Sequence, residues 1–588
     1  MPARRPAASL AAYGLLSLAM MTGARPAGAV IVPPAVRALE LPVGVVSVSA
    51  TDPLLAPILT AASTIGSPVT NNLGSTVLTI GKTPVTWTET TSGATLTKYI
   101  YLYPAGWQVL GWTGNLRVFE HNGCRHILYD TYGRVHVIYN DAVDVWYRLG
   151  VRSGRRVDWQ APVQVNDAAT PIGISSSNGT RGQTFGMIYD ASGNVILQCT
   201  WSSSKPVTRS VWTRRLTVDT AGSVTAGTPV NTGLIGSFQC IVADSTGRFH
   251  LAVEKYSDML YANSVNGVDW VNNVTWNAAA GTCTAYRFPN LLVDPQDRLH
   301  LLWQAESYQG YSSRWWVLVY SVRDPQTGQW TAPVNALSGI PGWEAPTTGE
   351  RVLAAYPNMV MDDRQNLHLA WHGSVYSNTF GWDDTFYMKK PYYSGSGTWG
   401  PWGDYVCLHR RDHFNNGQGE DMNHSWVPSL AYVPGSSEFY AMFMYGLVDD
   451  EVSDPSVNAT EGALKTFTGA QWLAGFANLT QTPAMRSWYM NAPSQVLVDP
   501  NGHKWLDMIW VDGTLDDYNV IFRRIDLGGG LAGDVNVDEH VDVSDLLILA
   551  RSWSRSTGQN GFDPACDLNN DNTVDAADLL ILAGNWGT

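Results

Sequence analysis

The sequence is poor in charged residues, and basic residues are the scarcer kind. Charged residues make up 15% of its 588 positions, against ~25% in typical soluble domains. Long amphipathic helices need many Glu, Lys and Arg, so this shortage argues against an all-helical protein. Lys and Arg number 37 against 51 Asp and Glu, which gives a net charge of −14. Nucleic-acid binding requires a basic surface, so we predict no nucleic-acid partner.

Cysteines and long apolar runs are also scarce. No stretch of about 18 apolar residues occurs, so we predict no membrane span. Six cysteines are too few for a disulfide framework in a chain of this length, although an even number could pair outside the cell. Cys199 and Cys240 fall in neighbouring repeats and are the candidate pair. The full set is Cys124, Cys199, Cys240, Cys283, Cys407 and Cys566.

The N-terminus has the pattern of a secretory signal. Arg4 and Arg5 precede an apolar run over residues 10–21, which is too short to span a bilayer. An Ala-Gly-Ala sequence at positions 27–29 follows, as at a signal-peptidase site. We therefore predict a signal peptide over residues 1–29 and a secreted, extracellular protein.

Aromatic residues and glycine are abundant. The 25 Trp and 26 Tyr would not be retained in a solvated coil, so most of the chain is expected to fold. The 55 Gly, together with these aromatic residues, favour strands joined by tight turns over long helices.

One motif recurs through the middle of the chain. It consists of a short apolar strand, Asp-x-x-Gly or a variant of it, and a second apolar strand. Gly supplies the positive φ that such a hairpin turn needs. A second turn containing Trp follows in most copies, and we expect this Trp to pack between neighbouring repeats. Seven copies, spaced roughly 50–70 residues apart, are centred on Asp130, Asp190, Asp244, Asp294, Asp362, Pro434 and Asp499.

The repeats predict a mainly β fold. Two hairpins per repeat make a four-stranded sheet, and a ring of such sheets leaves only short protected edges. We predict a seven-bladed β-propeller over residues 96–527, preceded by an extension over residues 30–95. Strands in residues 75–100 are expected to help close the ring. A pair of β-sandwiches or a β-solenoid is the alternative, but solenoid coils are shorter than these repeats and sandwiches lack sevenfold self-similarity.

The C-terminus contains two copies of an acidic pattern. After a Gly-rich linker at residues 528–532, each copy has oxygen-bearing side chains at loop positions 1, 3, 5 and 12, and an apolar helix follows. With the backbone carbonyl at position 7, this is the ligand pattern of calcium-binding EF-hand loops. Position 6, where Gly is usual, is Glu539 or Asn572, and Asn accepts a left-handed backbone more readily. The predicted metal ligands are Asp534, Asn536, Asp538, His540, Asp545, Asp567, Asn569, Asp571, Thr573 and Asp578.

These loop–helix copies resemble the repeats of type I dockerins over nearly all of residues 533–588. The resemblance implies a small α-helical dockerin that holds two Ca²⁺ ions and docks to a cohesin module of a scaffold or cell-surface protein. Loop positions 10 and 11, which often set specificity in that family, are Val543-Ser544 and Ala576-Ala577. The helix residues expected to pack the two copies together are Leu546, Leu547, Leu549, Leu579, Leu580 and Leu582.

Hairpin geometry gathers polar residues at one edge of the predicted ring. The residues before the first strand and after the second strand of a hairpin lie at the same edge. Together they would surround the mouth of a central channel, a setting that suits sugar binding. The candidate catalytic residues are His121, His424, His372, Glu254, Tyr286 and Arg287. The candidate substrate-binding residues are Asn140, Arg181, Gln304, Glu306 and Asp512.

Four other histidines share one position within the second strand of their repeats. Recurrence at an interior position indicates a structural role, so we expect each of them to be a hydrogen-bonded packing residue. The four are His136, His250, His300 and His368.

The repeats resemble those of bacterial-neuraminidase-repeat propellers, a group that includes sialidases, polysaccharide lyases such as ulvan lyases, and lectin-like members without activity. The segment Gly267-Val-Asp-Trp270, which follows Ser264, looks like a degenerate Asp-box turn of that group. The resemblance implies a carbohydrate-active protein with a polysaccharide substrate or ligand. It makes no prediction about an ion inside the propeller.

Three functions remain open at this point. A lyase would use His or Tyr as base and Arg or His to neutralise a uronate carboxylate, and the candidates are His121, His424, Tyr286, Arg287 and Arg181. A hydrolase would need two carboxylates flanking the glycosidic bond, and Glu254, Glu306 and Asp512 are the candidates. A non-catalytic propeller would bind a carbohydrate or a protein while its dockerin displays it.

Overall fold

The computed structural model describes most of the chain after residue 30. The described residues are 31–34, 36–64, 66–114, 118–119, 123–154, 156–172, 174–175, 179–180, 182–203, 209–255, 258–276, 285–308, 314–340, 352–374, 384–409, 424–446, 460–473, 477–480, 486–499, 502–514, 517–528, 533–535, 541–556, 559, 561–563, 566–569 and 571–587. Strands dominate them, which confirms the mainly β prediction. No helix among them is both long enough and apolar enough to cross a membrane.

The chain divides into two compact bodies. Of the described residues, those within 31–39 and 47–102 form the N-terminal body, and those within 40–46 and 103–587 form the main body. Trp87 is buried in the N-terminal body and donates its indole N–H to Leu59 O at 2.8 Å. A sheet in the order β2-β8-β7-β5 forms this body with the pairs β1–β4 and β3–β6. Its elements are β1 (Ile31–Val32), β2 (Ala38–Glu40), β3 (Ser47–Ser49), a 3₁₀ turn (Pro53–Leu55), α1 (Ala56–Leu59), β4 (Ala62–Ser63), β5 (Val69–Asn71), β6 (Val77–Thr79), β7 (Gly81–Glu89) and β8 (Thr95–Tyr103).

The described strands of the main body form successive, mainly antiparallel sheets. Most of the strands between Ala285 and His409 share one eight-stranded sheet, in which Arg314–Arg323 pairs parallel with Val352–Met361. By their order in the sequence, we group the strands into repeats 1 to 7. Repeat 1 contains β10 (Ile127–Tyr129), β11 (Val135–Asn140), β12 (Val145–Ser153), β13 (Arg156–Trp159) and β14 (Val163–Gln164), and the small pair β15 (Ile174–Ser175) and β16 (Gly179–Thr180) follows it. Repeat 2 contains β17 (Gln183–Tyr189), β18 (Val195–Ser203), β19 (Ser210–Val218), β20 (Val224–Ala226) and β21 (Val230–Ile235). Repeat 3 contains β22 (Ser237–Ala243), β23 (Phe249–Lys255), β24 (Asp258–Ser264) and β25 (Val271–Trp276).

The remaining repeats follow the same plan. Repeat 4 contains β26 (Ala285–Val293), β27 (Leu299–Tyr308), β28 (Arg314–Arg323) and β29 (Val334–Asn335). Repeat 5 contains β30 (Val352–Met361), β31 (Leu367–Ser374), β32 (Asp384–Lys390), β33 (Tyr392–Tyr393), β34 (Thr398–Trp399) and β35 (Val406–His409). Repeat 6 contains β36 (His424–Tyr432), β37 (Phe439–Gly446), β38 (Thr460–Phe467) and β39 (Ala477–Asn478). Repeat 7 contains β40 (Arg486–Asn491), β41 (Leu497–Val498), β42 (Lys504–Thr514) and β43 (Asp517–Asp526).

The last repeat is completed by an early strand. β9 (Trp107–Thr113) pairs antiparallel with β43, the final strand of repeat 7. This pairing joins the two ends of the repeat series. The strand that makes it lies at residues 107–113, whereas we had expected strands in residues 75–100 to do so. β7 and β8, which occupy most of that earlier stretch, pair with each other because their alternating residues bury a shared core.

The Asp of each clear repeat organises its hairpin turn. In repeat 1, Asp130 Oδ1 accepts the backbone N–H groups of Tyr132 at 2.9 Å and Arg134 at 2.8 Å. Gly133 follows with φ 72°, a left-handed conformation that costs glycine little. The predicted turn chemistry is therefore confirmed.

The recurring histidines each bridge two strands and the turn. His368 Nδ1 lies 2.7 Å from the Tyr387 hydroxyl, and its Nε2 lies 3.1 Å from Asp362 Oδ2. We call these Asp–His–Tyr groups the relays. The other three are Asp130–His136–Tyr147, Asp244–His250–Tyr261 and Asp294–His300–Tyr320. All four histidines are buried, so the prediction of hydrogen-bonded packing residues is confirmed.

Tryptophans of the outer turns contact the relay of the preceding repeat. Trp399 of repeat 5 packs edge-to-face on His300 of repeat 4, with ring centroids 4.6 Å apart. Trp330 of repeat 4 packs in the same way on Tyr261 of repeat 3 at 5.1 Å. The expected packing of Trp between neighbours is confirmed, and each such contact couples the core of one repeat to the next.

The first strands of repeats 3 to 7 share one irregularity. Each contains a register shift, and at it stands a non-glycine residue with φ between 47° and 53°. Bulky residues rarely adopt positive φ, so the surrounding structure must hold them there. The five residues are Phe238, Phe288, Tyr356, Val427 and Tyr489.

Side chains next to these bulges link consecutive repeats. Asn358 Oδ1 accepts the Leu430 N–H at 3.0 Å, and Ser429 Oγ accepts the Ala492 N–H at 3.3 Å. Asn491 Nδ2 donates to Cys124 O at 3.4 Å. These bonds run from repeat 5 to 6, from 6 to 7, and from 7 to the segment before repeat 1.

The C-terminal domain has two short helices. They are α2 (Val543–Arg551) and α3 (Ala576–Gly584), and each begins with an Asp capping box. Leu549 and Leu582 are buried between them. Leu547 and Leu580 are 56% and 73% exposed, so the expectation that they pack the copies together was wrong. Each leucine lies two positions before the buried one, which turns it away from the shared core on a 3.6-residue helix.

The expected Cys199–Cys240 disulfide is also wrong. Both residues are free thiols. Cys199 lies in the core that repeats 1 and 2 share, and Cys240 lies in a different core cluster shared by repeats 3 and 4. Adjacent repeats in sequence therefore do not place these two side chains together.

Candidate active site

Polar side chains from repeats 3, 4 and 5 meet at one edge of their sheets. Glu254 lies opposite Ser237 near the end of β23, and His372 lies opposite Ala355 near the end of β31. In repeat 4, Gln304 and Glu306 lie two residues apart on β27 and therefore share one face. Arg287 lies opposite Gln304. We call these five residues the edge cluster.

Arg287 stands between two buried glutamates. Its Nε lies 2.9 Å from Glu306 Oε1, and its Nη1 lies 3.8 Å from Glu254 Oε1. The Glu side chains are 3% and 2% exposed, whereas that of Arg287 is 38% exposed. Because both nitrogens belong to one planar guanidinium, the two carboxylate oxygens lie within about 9 Å of each other. One positive charge thus joins carboxylates contributed by neighbouring repeats.

Gln304 extends this group towards repeat 5. Its amide donates to Glu306 Oε1 at 2.7 Å, and its carbonyl accepts the Tyr356 N–H at 3.3 Å. The Tyr356 ring lies 4.9 Å from the His372 ring. Tyr356 has a positive φ, and its backbone N–H points towards Gln304 in the cluster.

A backbone hydrogen bond selects the tautomer of His372. The Val427 N–H donates to His372 Nδ1 at 3.2 Å, so Nδ1 must carry a lone pair. The proton of the neutral ring then resides on Nε2. In this state His372 can donate a hydrogen bond through Nε2 but cannot accept a proton there. The arrangement fits a positioned hydrogen-bond donor.

An aromatic row borders the edge cluster. The rings of Phe238 and Phe288 lie 4.8 Å apart, and those of Phe288 and Tyr356 lie 4.3 Å apart. All three residues have positive φ. Sequence reasoning missed them, although Phe288 and Tyr356 each stand directly before Pro-Asn at the start of a repeat. That shared Pro-Asn was the signal that could have identified them.

Several candidates do not join the cluster. Tyr286 lies on the other face of β26 from Arg287 and packs on Trp303 at 5.7 Å. Asn140 is buried in repeat 1 and donates to Gln183 Oε1 at 2.8 Å. Asp512 is buried in repeat 7, where Trp510 Nε1 lies 3.5 Å from its Oδ2. The last two occupy corresponding edge positions in repeats other than those that form the cluster.

Three further candidates cannot be placed at side-chain level. His424 begins β36 opposite Gly446, and only its backbone is described. His121 and Arg181 lie outside the described residues.

A surface cavity of about 600 Å³ lies elsewhere in the main body. It is lined by Trp276, Arg323 and Trp330 among others, and it contains none of the predicted site residues.

The second acidic loop has the oxygen donors that a calcium ion prefers. The Asp571 N–H donates to Asp567 Oδ1 and Asn569 Oδ1, both at 3.0 Å, and Asn569 N–H donates to Asp578 Oδ1 at 3.1 Å. Asn572 has φ 71°, the left-handed conformation expected at position 6. These bonds tie the backbone of the loop to its acidic and amide side chains.

The predicted donor set of the second loop includes groups other than acids. By position in the sequence, the Asn569 amide and the Thr573 carbonyl would supply oxygens besides those of Asp567, Asp571 and Asp578, and oxygen donors are the ligands that Ca²⁺ prefers. Among the described residues, no group of three His, Cys, Asp or Glu side chains is arranged to hold a metal ion. In the first loop, Asp545 Oδ2 accepts the Asp542 N–H at 2.9 Å, as Asp578 Oδ2 accepts the Asp575 N–H at 2.8 Å. The ligands Asn536, Asp538 and His540 lie outside the described residues.

The comparison with known families identifies the C-terminal domain. Residues 532–585 match the Dockerin type I domain family, so the chain carries a type I dockerin at its C-terminus. Dockerin domains generally bind calcium and imply a cohesin partner. None of the curated proteins compared with the chain matches it.

The chain is also similar to solved structures of carbohydrate-active proteins. An endo-arabinase from Bacteroides thetaiotaomicron is 14% identical with a TM-score of 0.30, and the match covers 51% of this chain and 97% of that one. The α-L-arabinofuranosidase Arb93A from Fusarium graminearum is 12% identical with a TM-score of 0.34, and the match covers 62% and 94%. The polysaccharide lyase Uly1 is 10% identical with a TM-score of 0.34, and the match covers 62% and 91%.

Proposed function

We propose that the chain, which ends in a type I dockerin, is a secreted enzyme that hydrolyses a polysaccharide at the edge cluster. Residues 1–29 would be its signal peptide and 30–95 an N-terminal extension. Residues 96–527 would form a seven-bladed β-propeller, 528–532 a linker and 533–588 the dockerin. The hydrolytic function is carried by one observation, the two buried glutamates that share Arg287.

The strand pattern supports the propeller. Seven successive repeats of mainly antiparallel strands, with β9 completing the seventh, are what a closed ring of blades requires. Side-chain bonds between consecutive first strands, such as Asn358 to Leu430, are expected around a central axis. In such a ring the edge cluster would lie beside the mouth of the central channel.

The charges of the edge cluster support hydrolysis. One guanidinium stands between two buried carboxylates that belong to neighbouring repeats. Such a pair provides a protonated carboxyl as general acid and an ionised carboxylate as base or nucleophile. We assign these roles jointly to Glu254 and Glu306.

Two positioning roles follow from the same geometry. Arg287, which is more than one-third exposed, would hold the carboxylates and meet the substrate. His372 would donate its Nε2 proton to a sugar oxygen. The lyase alternative has one observation against it, because Arg287, a candidate for neutralising a uronate carboxylate, already contacts two carboxylates. Its candidate bases His121 and His424 have no described side chains.

The test is an assay of the purified full chain on neutral and acidic polysaccharides. We expect new reducing ends without an unsaturated product that absorbs in the ultraviolet. Such an absorbing product would establish a lyase instead, and retention without cleavage would establish a binding protein. The loss of cleavage in Glu306→Gln, but not in Glu438→Gln, would tie the activity to the edge cluster. Glu438 is a suitable control because it pairs with Lys504 at the turn end of its hairpin.

The dockerin would bind two calcium ions and dock to a cohesin. Val543, Leu547 and Leu580 are more than half exposed, and exposed apolar side chains on two adjacent helices suit a protein partner. Calorimetry of the chelator-treated chain should give two Ca²⁺ per molecule, and Asp578→Asn should remove one. Surface plasmon resonance with a recombinant type I cohesin should then detect calcium-dependent binding that Leu580→Asp abolishes. A stoichiometry of one Ca²⁺ per molecule, or cohesin binding that does not depend on calcium, would contradict this assignment.

A further inference from the structure

Two cysteines distant in the sequence lie side by side in the main body. Cys124 donates its thiol to the carbonyl of Gln239, the residue before Cys240. In return, Cys240 Sγ lies 3.7 Å from the carbonyl oxygen of Gly123, the residue before Cys124. These reciprocal contacts place the two β-carbons and sulfurs on facing backbones. Both side chains are thiols in the structure.

The surroundings hold this pair in place. Cys124 and Cys240 are each 1% exposed and belong to one core cluster. Cys240 Sγ accepts the Leu291 N–H from repeat 4 at 3.3 Å. Neither sulfur can therefore turn away without breaking contacts in the core.

The segment that carries Cys124 touches distant repeats. A Cβ on Gly123 would lie 3.1 Å from both Asn290 Nδ2 of repeat 4 and Pro357 O of repeat 5, which is tighter than ordinary van der Waals contact, so glycine suits this close approach. Arg125, two residues after Gly123, is 7% exposed and donates a hydrogen bond to Met359 O of repeat 5 at 3.2 Å. We call residues 123–125 the central segment. It lies against the first strands of repeats 3, 4, 5 and 7.

We propose that Cys124 and Cys240 form a disulfide when the chain folds under oxidising conditions. In the cell this rests on the export that the proposed function includes, because cytosolic thiols remain reduced. The two S–H bonds break and one S–S bond forms, with the release of two protons. The two electrons pass to the disulfide of a dithiol–disulfide oxidase or of oxidised glutathione, which becomes two thiols.

The bond would fasten the central segment to β22. It would close a loop that contains repeats 1 and 2 and the start of repeat 3, and cross-links of long loops restrict the unfolded chain most. Because both sulfurs are buried, the bond would form before the core closes and would resist reduction in the folded protein. Its role would be to keep the first strands in register around the central segment.

The first test uses the unaltered chain. The purified protein is denatured and refolded in a glutathione redox buffer, treated with N-ethylmaleimide under denaturing conditions and digested with trypsin. A disulfide-linked pair of peptides 118–125 and 216–248 supports the proposal. Alkylation of both cysteines, or a link from either of them to Cys199, overturns it. Refolding in vitro makes this result independent of export, which the mature N-terminus of the secreted protein tests separately.

The second test measures stability. Denaturation in the presence of a reductant should lower the unfolding midpoint of the oxidised protein by several degrees, on the order of 5 °C. The double variant Cys124→Ser/Cys240→Ser should have the lower midpoint with or without reductant. Cys199→Ser is the matched control, since it removes a buried thiol but keeps the response to reductant. An identical midpoint for the oxidised and reduced wild-type protein would refute the proposed bond.

Discussion

The relays and the edge cluster lie at opposite ends of the same hairpins, and they differ in where their partners originate. In a relay, Asp, His and Tyr all belong to one repeat, as with Asp362, His368 and Tyr387. In the edge cluster, Arg287 of repeat 4 contacts Glu254 of repeat 3, and His372 of repeat 5 accepts from Val427 of repeat 6.

This difference distinguishes groups that stabilise the fold from a group that is a candidate for catalysis. A relay recurs in four repeats, and in each of them a buried His is hydrogen-bonded to a buried Tyr, so it stabilises each hairpin in the same way. Among the described residues the edge cluster occurs once, and its central side chain is more than one-third exposed. A group that contacts solvent and has no copy in the described parts of the other repeats is the better candidate for a role in catalysis.

Substitution of the cluster glutamates should produce the largest effect. Glu254→Gln and Glu306→Gln each keep the shape of the side chain but remove the acid or the base. General acid–base catalysis contributes about 10²–10⁴-fold to rate, so we expect cleavage to fall at least about 100-fold while the melting temperature changes little. Steady-state assays and thermal denaturation of each variant check this. Full activity in both variants would show that the edge cluster does not take part in catalysis.

Substitution of a relay should have the opposite consequence. His368→Ala leaves Asp362 and Tyr387 without their shared partner, and we expect a loss of about 2–4 kcal/mol in the free energy of unfolding. Activity per folded molecule should remain at the wild-type value. Guanidinium denaturation followed by tryptophan fluorescence measures the first quantity, and assays at a temperature well below the transition measure the second. A stable variant that loses activity would contradict the division between the two regions.

His372 allows a sharper comparison within the cluster. His372→Asn keeps an acceptor near the position of Nδ1 for the Val427 N–H but lacks the Nε2 donor, whereas His372→Gln keeps a donor near Nε2. We expect kcat to fall about 10–100-fold in the Asn variant and less in the Gln variant, since removal of one positioned donor costs roughly 1.4–3 kcal/mol. Measurement of kcat and KM for both variants decides this. Equal losses would show that the ring, and not its donor, matters.

The relays should also make stability depend on pH. Burial lowers the pKa of His368 below 6.5, with the contact to Asp362 opposing the shift, and the pKa values of His136, His250 and His300 are lowered for the same reason. Between the lowered value and 6.5 the unfolded chain binds more protons, so stability is complete above about pH 6.5 and falls as the pH decreases. Each histidine contributes at most about 1.4 kcal/mol per pH unit. Melting temperatures between pH 7 and pH 5 should show the decline, with a shallower slope in His368→Gln.

Much of the local structure could be predicted from sequence patterns. The Asp-x-x-Gly turn around Asp130, the recurrence of His136 and the outer-turn Trp399 all depend on residues close together in the chain. The cysteine pairing could not be predicted in this way, because Cys240 faces Cys124 and lies apart from Cys199 in its neighbouring repeat. Leu547 and Leu580 show a similar limit, since an apolar residue on a short helix can face a core or a partner.

The sequence by itself determined the hairpins, the relays and the dockerin loops, because their partners are set by spacings of a few residues and by strand and helix periodicity. Only the tertiary structure decided which edge residues meet. The register shifts at Phe288 and Tyr356 change which side chains face one another by one position, and the contacts of Arg287 with Glu254 and of Cys124 with Gln239 join segments from different repeats. Such contacts depend on how whole sheets pack, which no local spacing encodes.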